Sequence, residues 1–251
     1  MEIPLPVPMV SLESVNPFAK PVDEPAEVLQ STPPRKVSVN GVATVAAYVD
    51  AKGECLGTVP LELPFPGLTS SLVEEFTGSR FDAARAGEVP KPSWVVLNIA
   101  IEGKVKESEV VDPVLQSPDP SLPPEPVPPA AMAPPGNLRE LPATPLAELS
   151  SPASPRRIRI HAPSREEETH LRALVHLSKE GRCDRYVPLE FPDGLNPWLS
   201  AYLASWRVRP AMVDGAAVDS WVELSATVRL KLSGLDSTTF QVDRDREYSP
   251  R

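Results

Sequence analysis

Two cysteines, Cys55 and Cys183, three histidines, His161, His170 and His176, and the run Glu166-Glu167-Glu168 are the residues whose types could do chemistry. A thiol becomes a working nucleophile only beside a base that takes its proton. Neither cysteine has a histidine at a repeated place in the sequence. Two cysteines are also too few for a disulfide scaffold or a structural zinc site, and the histidines do not complete a metal set with them. The glutamate run reads as a solvated approach to a strand, and no glycine-rich phosphate loop is present. The expectation is therefore no catalytic residue, no metal, no cofactor, and a protein that is not an enzyme.

The cysteines are informative because they mark two copies of one pattern. Gly53-Glu54-Cys55 matches Gly181-Arg182-Cys183. Val59-Pro60-Leu61-Glu62-Leu63-Pro64, then Gly67 and Leu68, matches Val187-Pro188-Leu189-Glu190-Phe191-Pro192, then Gly194 and Leu195. Arg80, Phe81, Ala84, Gly87 and Trp94 match Arg207, Val208, Ala211, Gly215 and Trp221, at an offset of 127 or 128 throughout. Each cysteine reads as an inherited small, half-buried residue. A bridge between copies would require their strands to meet within ~7 Å.

Proline maps what lies around the copies. The chain has 251 residues, 33 of them proline, or about 13% against a usual ~5%. Residues 1–35 and 113–155 hold 22 of the 33. Proline removes a backbone donor and interrupts helices and strands. The first stretch reads as a disordered tail. The second, through Pro123-Pro124-Glu125-Pro126-Val127-Pro128-Pro129, reads as a stiff polyproline spacer of ~3.1 Å per residue. The domain expectation is a tail at 1–35, a degenerate domain at 36–112, a linker at 113–155, a domain at 156–235 and a polar disordered tail at 236–251.

The formal charge is −9, which argues against nucleic acid, whose phosphates need a positive surface. The cluster Arg156-Arg157-Ile158-Arg159 reads as a solvated linker end. The longest strongly apolar run, near Trp94–Ile101, is far short of the ~18–20 residues that span a membrane. The start, Met1-Glu2-Ile3-Pro4, has no basic residue before Lys20 and is not a signal peptide. The expected location is the periplasm, if an N-terminal anchor or signal lies upstream, with the cytoplasm as the alternative.

These copies must be carried by local structure. From His170 to Leu177, Leu171, Ala173, Val175 and Leu177 alternate with His170, Arg172, Leu174 and His176, a half-buried strand. Ser178-Lys179-Glu180-Gly181 is a turn and Cys183 to Phe191 a returning strand, bent or frayed at its prolines. Asn196 is an expected N-cap with Pro197 first in the helix. Trp198, Leu199, Tyr202 and Leu203 fall at helical spacing. After a short extended segment and the Asp214-Gly215 turn, Trp221 to Leu232 alternates again. The first copy follows, with strands at Thr44–Asp50, Cys55–Leu63 and Trp94–Val105 and a helix at Leu68–Thr77. The expected fold class is α+β: two small domains, each a β-β-α-β antiparallel sheet with one covering helix.

At Trp206-Arg207-Val208-Arg209-Pro210-Ala211, then Asp214-Gly215-Ala216-Ala217-Val218 and Trp221, the sequence resembles the C-terminal domain of TonB and its relatives. The strand, turn, strand and helix before it fit, as does the proline- and glutamate-rich spacer. The likeness covers about 168–232 well and about 42–105 weakly, where Ser79 stands at the place of Trp206 and Ala83 at that of Pro210. A membrane anchor and a Tyr-Pro segment typical of the family are not found. In this reading Trp206, Arg207, Pro210, Ala211, Gly215 and Trp221 are fold-motif residues.

The resemblance implies that the last strand's edge accepts an extended strand from a protein partner, by main-chain hydrogen bonding. Ser225, Thr227, Arg229 and Lys231 would then face outward beside it. Tandem copies on a spacer suggest two-site binding. The functional expectation is a protein interaction module, in periplasmic transport or energy transduction. The alternative is a structural or assembly subunit that uses the same edges, including for self-association, with no transport role.

Overall fold

The computed structural model describes residues 6–15, 22–118, 141–156 and 158–248. Residues 119–140, the middle of the expected linker, and Arg157 of the basic cluster lie outside them. In chain order the first copy holds β1 (Glu27–Gln30), β2 (Val37–Val49), β3 (Cys55–Glu62), α1 (Thr69–Phe76), β4 (Phe81–Asp82), β5 (Ala84–Ala86), β6 (Val89–Lys91) and β7 (Ser93–Gln116). The second holds β8 (Ser154–Pro155), β9 (His161–Ala162), β10 (Arg165–Leu177), β11 (Cys183–Glu190), α2 (Asn196–Ala204), β12 (Arg207–Arg209), β13 (Ala211–Val213), β14 (Ala216–Val218) and β15 (Ser220–Asp243).

The expected pair of separate α+β domains is corrected. The protein is mostly β, 57% strand and 13% helical, and is built on a large antiparallel sheet. The strand order is β11-β10-β15-β7-β2-β3, with β9 beside β15. The α-helices among the described residues are only 8 and 9 residues long, too short to make a second layer for each copy. The physical cause lies in the last strands. Their regular apolar alternation fades near Val105 and Leu232, where the strands are expected to end. Both run on for 24 residues in all, to Gln116 and Asp243. The first part of the expected linker and of the expected C-terminal tail is therefore strand. Asn196 is likewise not a cap: a 3-10 turn at Asp193–Leu195 precedes the helix and leaves Leu195 in the N-cap position.

The chain divides into two compact units, and each draws on both copies. The first unit takes Met1–Val39, Lys104–Val127 and Arg165–Leu232; the second takes Asn40–Gly103, Pro128–Ser164 and Ser233–Arg251. The proline-rich arm that opens each copy belongs with the body of the other copy, and so does the end of each last strand.

In the first unit, β10 pairs with β15 from Arg165↔Leu232 to Leu177↔Ser220 and with β11 on its other side. Alternation on β15 sends Val222, Leu224, Ala226, Val228, Leu230 and Leu232 inward. The helix α2 buries Trp198, Leu199, Tyr202 and Leu203. Trp198 stacks on Tyr202 at 5.4 Å between ring centroids, and Tyr202 meets Trp206 edge-on at 5.6 Å. Each large apolar side chain withdrawn from water stabilises the unit by about 1.5–3 kcal/mol.

The second unit repeats the plan with smaller aromatics. Phe65, Leu68, Leu72 and Phe76 are buried, as are Leu97, Ile99 and Ile101 of β7. Its borrowed strand end supplies Phe240, 6.2 Å from Phe76, and Leu235. Gly103 lies so close to Leu235 that a Cβ there would collide with the leucine side chain. A second aromatic group lies elsewhere in the unit: Tyr48, Trp94 and Tyr248, with Tyr48–Trp94 at 5.4 Å and Trp94–Tyr248 at 4.8 Å.

The duplication is visible in details of register. The β2–β3 pair shifts register between Thr44 and Val45, and β10–β11 shifts between Arg172 and Ala173. These irregularities adjoin Pro60 and Pro188, which lie on the two end strands of the sheet order. That is where a strand tolerates a missing N–H donor. The β13–β14 turn has positive φ at both Asp214 and Gly215, whereas the β5–β6 turn has it at Gly87 alone. Since Ala86↔Val89 and Val213↔Ala216 are equivalent pairs, Gly87 stands opposite Asp214, one place from the alignment expected with Gly215.

Candidate functional site

The final strand is not an open edge. In the sheet order β15 lies between β10 and β7, and it pairs with β10 along Ser220–Leu232, so this part of the strand has a neighbour on each side. Ser225 faces Arg172 across the ladder, Thr227 faces His170, Arg229 faces Glu168 and Lys231 faces Glu166. The Arg229 Nε donates to Glu168 Oε2 at 2.8 Å, with Glu109 at 3.7 Å. These contacts, Glu168 first, hold the guanidinium above its usual range. Nearby, Arg172 donates through Nε and Nη2 to one oxygen of Glu223, at 3.0 and 2.9 Å, and Glu223 is buried. The four expected partner-binding residues are thus brought together on one strand, but without a free edge beside them. No local pattern reveals which strand will be covered, because that depends on the far half of another long strand.

The motif residues are structural. Trp206 is buried. Arg207 begins β12 and its guanidinium donates to the Trp206 carbonyl at 2.9 Å. Pro210 separates β12 from β13, which Ala211 opens, buried. Gly215 completes the hairpin turn. Trp221 packs edge-on against His176 at 5.0 Å, and His176 Nδ1 lies 2.7 Å from Asp184 Oδ1.

The thiols are free, buried and in equivalent places. Cys55 Sγ donates to the Gly57 carbonyl and Cys183 Sγ to the Arg185 carbonyl, at 3.5 and 3.7 Å. Burial pushes the Cys55 thiol up to about 11, and burial, helped by Asp184, raises Cys183 further. Among the described residues no three His, Cys, Asp or Glu side chains gather as a metal set. Nor is any described helix long and apolar enough to cross a membrane.

Strand addition does occur elsewhere, inside the first unit. The end strand β11 takes up Pro8–Val10 on its outer side. The Val10 N–H donates to the Tyr186 carbonyl at 2.9 Å, and the Tyr186 N–H donates to the Pro8 carbonyl at 3.1 Å. Met9 runs parallel to Tyr186. Val7 is buried, and Ser200 Oγ donates to its carbonyl at 2.7 Å. The expected tail at 1–35 is therefore part of the unit wherever it is described.

The arms dock a second time, and this docking is built twice. In the first unit the Met212 N–H donates to the Glu24 carbonyl at 3.0 Å, and the Met212 carbonyl accepts from Asp23 and Glu24 at 2.9 and 3.3 Å. In the second unit the Arg85 N–H donates to the Ser151 carbonyl at 2.9 Å, and the Arg85 carbonyl accepts from Ser150 and Ser151 at 2.7 and 3.2 Å. Next along each arm stand Pro25-Ala26 and Pro152-Ala153, both alanines buried. Then β1 pairs antiparallel with β12 and β8 with β4. Every residue of one docking lies 127 from its equivalent in the other. The repeated Pro-Ala was the one signal in the sequence that could have announced these residues. It falls inside segments whose prolines suggest only spacing.

No protein-family model matches the chain, and no curated protein or solved structure matches it.

Proposed function

We propose that the chain is a non-enzymatic interaction module that takes up an extended segment by strand addition, at the outer edge of β11. The observation that carries this reading is the pairing of Pro8–Val10 with Tyr186. The contacts run through the main chain, so affinity comes from backbone hydrogen bonds and selectivity from the side chains that alternate beside them. The resemblance to the TonB C-terminal domain supports the same mode of binding, at a different strand. The resident segment acts as a built-in competitor, and a partner has to displace it.

The test uses the full chain with Met9→Cys, since Met9 is 55% exposed and both native thiols are buried. A fluorophore on residue 9 reports displacement as a fall in anisotropy. A synthetic peptide of residues 5–12 should displace the labelled segment. The same peptide methylated on the nitrogen matching Val10 should be at least tenfold weaker. Equal action of both peptides would sink the proposal. The second reading is a structural subunit whose edge serves only to hold its own arm, favoured by that arm's presence on β11; no displacement at millimolar peptide would select it.

A further inference from the structure

We infer that each unit carries a docking site for an extended segment of the pattern polar-polar-Pro-Ala followed by two extended residues, and that the ligand is an arm of this chain. The claim rests on the strand-addition reading but concerns a different place, the β12–β13 segment in the first unit and the β4–β5 segment in the second.

The same geometry is realised in both units by different side chains. On the receiving side the pivot is Met212 in one and Arg85 in the other; on the arriving side it is Glu24 in one and Ser151 in the other. What is kept is the backbone: one N–H donated to the arm and one carbonyl that accepts two N–H groups from it. A pattern that survives complete exchange of its side chains is a main-chain binding mode. What is also kept is Pro-Ala. The proline holds the arm extended at low entropic cost. The alanine is buried in both units, at 9% exposure for Ala26 and 0% for Ala153, so the site accepts only a small side chain there.

The pairing that follows adds a charge preference in one site. Glu27 stands opposite Arg209 and bonds it at 2.7 Å. In the other site the charges are reversed: Asp82 of the body bonds Arg156, just beyond the arm's Pro155. Each arm thus matches its own site electrostatically, while the backbone and the alanine slot are common to both. The arms are interchangeable in shape and sorted by charge. Exposed pairs of this kind contribute little to binding because water and salt screen them, so cross-binding is weakened and not abolished.

The experiment places a fluorophore on Leu29→Cys in the full chain, at a side chain 58% exposed, with the freed-arm signal calibrated in concentrated urea. Because the arm is tethered, its effective concentration is in the millimolar range, and the probe peptides are titrated through that range. A peptide of residues 22–31 should displace the label. The same peptide carrying Ala26→Trp should be at least tenfold weaker, and a peptide of residues 149–158 should act within about tenfold of the first. Displacement by none of them, or equal displacement by the Ala26→Trp peptide, overturns the inference. Failure here with success at the residue 9 label leaves strand addition at β11 standing. The reverse result removes β11 and keeps the Pro-Ala site.

Discussion

Gly181 and Val208 meet backbone to backbone: the Val208 N–H donates to the Gly181 carbonyl at 3.0 Å, and a Cβ on Gly181 would collide with the Val208 carbonyl oxygen. Gly53 and Phe81 make the same contact in the second unit, at 2.8 Å. Both glycines have φ near +80°, at +76 and +80. Gly181→Ala therefore adds a left-handed penalty of about 1–2 kcal/mol to a steric cost of similar size. Gly87→Ala should cost only about 1 kcal/mol, because nothing lies within 4 Å of a Cβ there. Urea titration of the two variants checks this; equal losses would show that the close approach does not matter.

The buried Glu223 depends on Arg172. Arg172→Ala leaves a carboxylate with its main partner gone and should cost about 3 kcal/mol. The first copy avoids the problem: Thr44 and Val96, both buried, occupy the equivalent positions. Arg172→Thr combined with Glu223→Val should recover most of the loss, a coupling that a double-mutant cycle measures directly. Additive single effects would contradict the pairing.

Both thiols are raised by burial, so their sign with pH is fixed. The folded state resists ionisation, while an unfolded cysteine ionises near ~8.5. The stabilisation is whole below that pH and is lost as pH climbs toward the folded value, about 11 for Cys55. The urea midpoint should fall between pH 8 and pH 10.5 and fall less in Cys55→Ala. At pH 8 a thiol reagent should label both cysteines at least a hundredfold faster in urea than in the native protein.

How far these sites could be read from the sequence differs by scale. Gly181, the hairpin around it, the α2 stripe of Trp198, Leu199, Tyr202 and Leu203, and the inward face of β15 all follow from short-range periodicity, and all are where that periodicity puts them. The ends of β7 and β15 are not legible. Lys106, Glu107 and Glu109 break the apolar alternation, and a strand flanked on both sides can carry charge where one half-buried against a helix cannot. The arm residue Glu24 was invisible for a different reason: its bonds to Met212 are made by the backbone, which looks the same in every sequence, and the Pro25-Ala26 beside it reads only as spacing.

The C-terminal segment offers a check on those long strands. Tyr248 packs on Trp94, Arg246 bonds Glu62 at 2.8 Å and Asn98 Nδ2 donates to Asp243 at 3.3 Å. Ending the chain after Asp243 removes the first two and keeps the third. The aromatic pair is worth about 1 kcal/mol beyond its area and the exposed ion pair little. The truncated chain should lose about 1–2 kcal/mol and show red-shifted tryptophan emission as Trp94 meets water. Ending it before Ser233 instead strips Leu235 and Phe240 from the second unit, and that unit should not fold. An intact second unit after the longer cut would refute its dependence on borrowed residues.

Tandem duplication ordinarily creates a spare, and a spare is free to decay. Here one unit is assembled from Met1–Val39, Lys104–Val127 and Arg165–Leu232, and the other from Asn40–Gly103, Pro128–Ser164 and Ser233–Arg251. Losing either copy halves both units at once. The second copy is therefore no reserve for the first: the gene holds two copies but offers no redundancy, and selection must see them as a single inheritance.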